Sequence, residues 1–160
     1  MPQLITPRQA RALRARHERN TAWRAQFVKP NGWTVITAAE QKTCPRDARI
    51  SNKERGRLEQ FEIYRDKPAK LFAYVSFHER EIASVFKGEA RQARDVRPYD
   101  QARVHVWTGD PLGVGQVNRV YRSNFGDRRA SIRVTIAGET YSGTAYLDAG
   151  DYCRLQRVKG

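Results

Sequence analysis

The sequence predicts an α+β fold in which a basic N-terminal helical part is followed by a small antiparallel β-barrel. Three observations carry this prediction. Thr6-Pro7-Arg8-Gln9 has the chemistry of a helix start, and no proline or glycine follows until Pro30. From Ala102 onward, short alternating apolar runs recur at roughly ten-residue spacing between glycine turns, the pattern of a small barrel or sandwich. Between them lies a stretch whose apolar residues switch spacing several times. The division expected is a basic helical arm over 1–28, a mixed α/β segment over 29–101 and a barrel-like segment over 102–160 that forms one domain with the segment before it.

The first element runs from Pro7 to about Phe27. Thr6 is placed to cap it, proline occupies the first helical position, and Gln9 completes a capping box. Ala10, Leu13 and His17 trace one stripe, with Trp23 and Phe27 four apart near the end. Lys29-Pro30-Asn31-Gly32 breaks it, Trp33–Thr37 reads as a short strand, and a loop follows to Ile50. Ser51-Asn52-Lys53-Glu54 is a second capping box opening a short helix to about Gln60. Phe61 and Ile63 then alternate with Glu62 and Tyr64 before the turn at Asp66-Lys67-Pro68. Lys70–Val75 is a strand whose apolar run predicts burial on both faces. Ser76-Phe77-His78-Glu79 is a third capping box, and Ile82, Val85, Phe86, Ala90 and Ala93 keep helical spacing, so a helix over about 77–94 is expected. The competing reading is a strand at Glu81–Phe86 paired back on Leu71–Val75.

The remaining strands are plainer. Val104 and Val106 alternate with His105 and Trp107; Val114, Val117, Val120 and Tyr121 mark the next strand; Ile132, Val134 and Ile136 alternate with Arg133 and Thr135. Ala137-Gly138 turns the chain into Thr140-Tyr141-Ser142, and Ala149-Gly150 precedes Tyr152–Leu155.

Charge is the dominant compositional feature. The chain has 160 residues with 30 Lys and Arg against 17 Asp and Glu, a formal +13. Residues 1–60 contribute +8, residues 61–101 contribute +1 and residues 102–160 contribute +4. Such an excess favours polyanionic partners. No apolar run reaches the roughly 18 residues of a membrane span, and no signal-peptide stretch precedes the first helix. Cys44 and Cys153 form no C-x-x-C pair, and three histidines give no zinc spacing. A cytoplasmic protein without cofactor or metal is the expectation.

Catalytic signatures are scarce. His17 lies among arginines that give it no orienting carboxylate, His78 sits at an expected helix start between Phe77 and Glu79, and His105 lies on a strand beside Trp107. No G-x-S-x-G elbow is present, and the glycines of Gly109–Gly115 lack the Gly-Lys-Ser/Thr ending of a phosphate loop. Glu59, Glu62, Asp66, Glu79 and Glu81 do not make the Asp…Glu-x-Lys set of a magnesium-dependent nuclease. The constellation that stands out is basic and aromatic. Arg119, Arg122, Arg128, Arg129 and Arg133, with Tyr121 and Phe125 among them, bracket one loop and its two strands. On strands, Arg119 and Tyr121 share a face, as do Arg129 and Arg133. Guanidinium forks there suit phosphates while Tyr121 or Phe125 stacks a base. Arg8, Arg11, Arg16 and Arg19 add a second basic surface on the first helix.

Non-enzymatic binding of DNA or RNA is therefore the expected function. A protein–protein inhibitor or adaptor that docks its arginines on an acidic host protein is the alternative, and a metal-dependent nuclease the third reading. The segments Trp107–Gly113, Arg122–Gly126, Ala137–Gly143 and Gly150–Leu155 together resemble a pattern in small uncharacterised tailed-phage proteins. The resemblance spans about the last third of the chain and implies a phage or plasmid origin. It brings no known catalytic residue.

Overall fold

The computed structural model describes residues 3–78, 81–86 and 89–159. The chain is α+β and forms two compact units, residues 3–62 and 63–160.

The helical unit is built on two capped helices. In α1 (Pro7–Arg24) the Gln9 backbone N–H donates to the Thr6 hydroxyl while the Gln9 side chain accepts from the Thr6 N–H. Ser51 and Glu54 make the same reciprocal pair before α3 (Asn52–Asp66). Between them lies the one-turn α2 (Ala38–Gln41), also boxed, by Thr37 and Glu40. Ala10 and Leu13 of α1 pack on Leu58 and Phe61 of α3. Trp23 packs with Cys44 and Ala48, and its ring meets Phe27 edge-on at 5.1 Å. The expected arm is thus a packed element, and buried Asn20, rather than exposed His17, continues its inward stripe.

Three expectations fail in this unit. The stretch expected as loop up to Ile50 contains α2, which the Thr37–Glu40 capping box starts. Helix α3 does not stop near Gln60 but continues to Asp66, so Phe61 and Ile63 are helical. Alternation over four residues is too short a signal to outweigh an uninterrupted helix that buries Leu58 and Phe61 together. Trp33–Thr37 forms no named strand; a single bridge joins Val28 and Thr34, and Trp33 is exposed. Beyond that bridge the segment pairs with no strand among the described residues, and a two-segment pairing is marginal by itself.

In the second unit, six antiparallel strands close into a barrel in the order β1 (Lys70–Phe77), β4 (Gln101–His105), β5 (Pro111–Arg122), β6 (Arg128–Ile136), β7 (Glu139–Tyr146) and β8 (Tyr152–Arg157). Closure through β8 and β1 removes the open edges of the sheet. Inward residues fill the interior, led by Val75, Val104, Val117, Ile132, Val134, Ile136 and Tyr141. The Tyr141 hydroxyl, buried with its ring, donates to the Pro68 carbonyl at 2.8 Å. Cys153 is also interior, and burial pushes its thiol up to about 12. The β6–β7 hairpin turns through Ala137 and Gly138, both at positive φ, as a two-residue turn matched to strand twist requires. At Gly115 an added Cβ would lie 1.9 Å from the Arg133 carbonyl oxygen, so the approach of β5 to β6 depends on glycine there.

The helix expected over about 77–94 is replaced, in its described residues, by a hairpin of β2 (Glu81–Phe86) and β3 (Glu89–Arg94). The strand alternative located Glu81–Phe86 correctly but gave it the wrong partner: β2 pairs with β3, and β1 pairs with β8 over Lys70–Tyr74 and with β4 over Tyr74–Phe77. Ile82, Val85 and Phe86 favour extended backbone, and their helical spacing covers barely one turn. Glu79, which entered the helix reading, lies outside the described residues. Strand β1 also differs from expectation: it buries one face only, with Phe72 and Tyr74 turned outward. No helix among the described residues is long and apolar enough to cross a membrane.

Candidate nucleic-acid interface

The outer face of the barrel carries aromatic and guanidinium groups in register from strand to strand. Tyr121 on β5 lies opposite Arg129 on β6, and Arg129 opposite Tyr146 on β7. The Tyr146 ring meets Tyr152 of β8 at 5.0 Å, Tyr152 lies opposite Tyr74 of β1, and Tyr74 stacks on His105 of β4 at 6.2 Å. Neighbouring strands are about 4.8 Å apart, so these groups form one row across the strands. A second row runs beside it, from Arg119 through Ser131 and Thr144 to Arg154 and Phe72.

Three arginines are held against rings. The guanidinium carbon of Arg119 lies 4.6 Å from the Tyr121 ring centroid, that of Arg129 5.1 Å from Tyr146 and that of Arg154 5.2 Å from Phe72. Phe72 is 61% exposed. Beside it opens a groove of about 570 Å3 whose lining includes Lys70, Phe72, Arg154 and Arg157 and no carboxylate. Arg157 donates to the Lys67 carbonyl.

The residues singled out in sequence lie on β5 and β6, at the turn that joins them, and in the helical unit. Arg119, Tyr121, Arg129 and Arg133 face outward on β5 and β6 as expected, and Arg133 is exposed. Arg128 and Arg129 are ion-paired: Arg128 to Asp148 at 3.0 Å and Arg129 to Asp127 at 2.9 Å. Hydrogen bonds from Arg129 and Ser123 hold the Asp127 carboxyl below the ordinary carboxylate range, and the Arg128 backbone N–H does the same for Asp148. Arg122 and Phe125 belong to the β5–β6 turn, where Arg122 donates to the Gly126 carbonyl and Phe125 stands 90% exposed. Arg8, Arg11, Arg16 and Arg19 lie in the helical unit. There Arg16 pairs with Glu54 at 2.7 Å and Arg19 donates to the Asp47 carbonyl at 2.8 Å, while Arg8 and Arg11 are exposed.

Tyr74, Tyr146, Tyr152, Phe72 and Arg154 were not found from sequence. One signal was available: Tyr146 and Tyr152 lie three residues either side of Ala149 in the turn region, which places them opposite each other in a hairpin. Phe72 and Tyr74 join them only through closure of β8 on β1, which no local pattern announces.

Ser76 and His105 also meet on this face, 2.9 Å apart, and His105 Nδ1 lies 2.8 Å from the Val106 carbonyl. A carbonyl only accepts, so Nδ1 carries a proton and donates to it. Among the described residues no group of three His, Cys, Asp or Glu side chains is placed to hold a metal ion. Comparison with family models, with curated proteins and with solved structures returns no match.

Proposed function

We propose that the protein binds single-stranded nucleic acid, without chemistry of its own, on the outer face of the barrel. The observation that carries this reading is the row Tyr121–Arg129–Tyr146–Tyr152–Tyr74 with the Arg154–Phe72 pair beside it. Unpaired bases expose π-faces that stack on aromatic side chains irrespective of sequence, while guanidinium groups take the phosphates between them. Duplex DNA keeps its bases stacked inside, so it engages the cations and leaves the rings idle. Stacking at about 1–3 kcal/mol per base makes several exposed rings a strong preference for single strands.

Titration of oligothymidine, single-stranded RNA and duplex DNA over a range of salt concentrations tests this. The expected result is tighter binding of single strands and an affinity that falls linearly with log salt. Equal binding to duplex contradicts the stacking role. Absence of nucleic-acid binding, with a protein retained from nuclease-treated lysate, moves the arginine face to an acidic protein partner.

A further inference from the structure

The helical unit holds a cluster of cations that neither its packing nor the barrel face explains. A cavity of about 300 Å3 is lined by His17, Asn20, Thr21, Arg24, Thr34 and Arg55 among others, and no carboxylate lines it. His17, Asn20, Thr21 and Arg24 fall three or four residues apart on α1, so one helix face supplies them. Arg55 comes from the first turn of α3. The other arginines of this unit that turn inward have acids: Arg14 has Glu62 and Arg16 has Glu54.

Arg55 is held in an unusual setting. Its Nη2 donates to the Asn20 Oδ1 at 2.6 Å, and Asn20 is fixed in turn by donating from Nδ2 to the Ala48 carbonyl at 2.9 Å. Asn20 is 6% exposed, so a buried amide sets the plane of the guanidinium. The Arg55 Nε–H, by contrast, is buried without any acceptor. Burial lowers the Arg55 pKa, and the nearby Arg24 charge lowers it further. A buried charged donor left unmade and a like charge beside it are both unfavourable, and one oxoanion in the cavity relieves both.

We infer that this cavity is a phosphate site, taking inorganic phosphate or a terminal phosphomonoester between Arg24, Arg55 and His17. A tetrahedral oxoanion accepts from several directions, which suits donors that arrive from two helices; a single carboxylate plane does not span them. Asn20 is a positioning residue, holding Arg55 for the ligand. The site lies within the helical unit and stands or falls separately from the barrel reading.

The test uses the full chain and inorganic phosphate, with chloride at matched ionic strength as the control. Phosphate is expected to raise the melting temperature saturably and to broaden its own phosphorus resonance. Arg24→Gln is expected to weaken phosphate affinity about tenfold or more with helicity intact, the loss of one charge-assisted donor. Arg55→Lys keeps the charge and a donor toward Asn20 but removes Nε, and it should weaken binding similarly. Oligothymidine with and without a 5′-phosphate distinguishes the sources. Preference for the phosphorylated strand that Arg24→Gln abolishes assigns the site to a phosphomonoester. No such preference, with inorganic phosphate still bound, assigns it to the free ion. No saturable phosphate binding by the wild-type chain, or unchanged affinity in either folded variant, overturns the proposal.

Discussion

The helical unit and the barrel are both rich in arginine, yet they use it differently. In the helical unit Arg14, Arg16 and Arg19 are tied to Glu62, Glu54 and Asp47, and they join helix to helix and helix to loop. On the barrel Arg119 and Arg154 lie over tyrosine and phenylalanine rings on an outward face, and Arg129 lies over Tyr146 while also paired with Asp127. The cores differ as well. The barrel has one continuous interior, whereas the helical unit divides its apolar residues between two small clusters. Net charge therefore does not distinguish the two surfaces; what each guanidinium already touches does.

The largest effect expected is in the barrel interior. Val134 is 1% exposed, and Val134→Asp places an unpaired carboxylate among Ile132, Ile136 and Tyr141. The cost is several kcal/mol, against total stabilities of about 5–15 kcal/mol, so the variant should lose its cooperative melt. A soluble variant melting like wild type would turn this face outward.

Leu13→Ala probes the smaller core. Truncation of a buried leucine costs about 2–5 kcal/mol, a heavier fraction for a cluster of four residues than for the barrel. Amide exchange should show α1 and α3 losing protection while β5, β6 and β7 keep theirs. Loss of protection in the barrel would show that the contrast between the two cores is false.

The paired and stacked arginines can be set against each other directly. Arg154→Ala should weaken binding of oligothymidine and reduce the salt slope by about one. The charge-neutral double change Arg128→Ala/Asp148→Ala should leave affinity close to wild type, because it removes a cation already matched by its acid. The reverse ranking would mean that the ion pair opens to receive phosphate.

A smaller effect is expected at the β6–β7 turn, where Ala137 holds φ 52. Asparagine tolerates this region better, so Ala137→Asn should stabilise the barrel by up to about 1 kcal/mol, read as a higher melting temperature. A lower one would mean that the Ala137 methyl, packed against the core, matters more than the backbone.

How far the sequence reaches differs between the same two regions. Both principal caps and the β6 spine were legible because their chemistry is local: a hydroxyl and a carboxylate or amide three apart, or three β-branched residues alternating with polar ones. The end of α3 and the β2–β3 hairpin were not, since short apolar runs fit two periods and tertiary pairing decides between them. The candidate site was half legible. Arg119, Tyr121, Arg129 and Arg133 lie on adjacent strands joined by one turn, whereas Tyr74 and Phe72 reach Tyr152 and Arg154 across roughly eighty residues, through barrel closure alone.

If the rings of the barrel face stack on unpaired bases, removing two of them should separate single-strand binding from duplex binding. Tyr146→Ala and Phe72→Ala are combined in the full chain, and affinity is measured for oligothymidine and for duplex DNA at one salt concentration. Both side chains lie on the outer face, so the melting temperature serves as the control for an intact fold. At about 1–3 kcal/mol per stacked base, the double change should weaken single-strand binding at least tenfold while duplex binding changes little. An unchanged affinity for oligothymidine, or an equal loss on both ligands in a folded variant, would contradict the account.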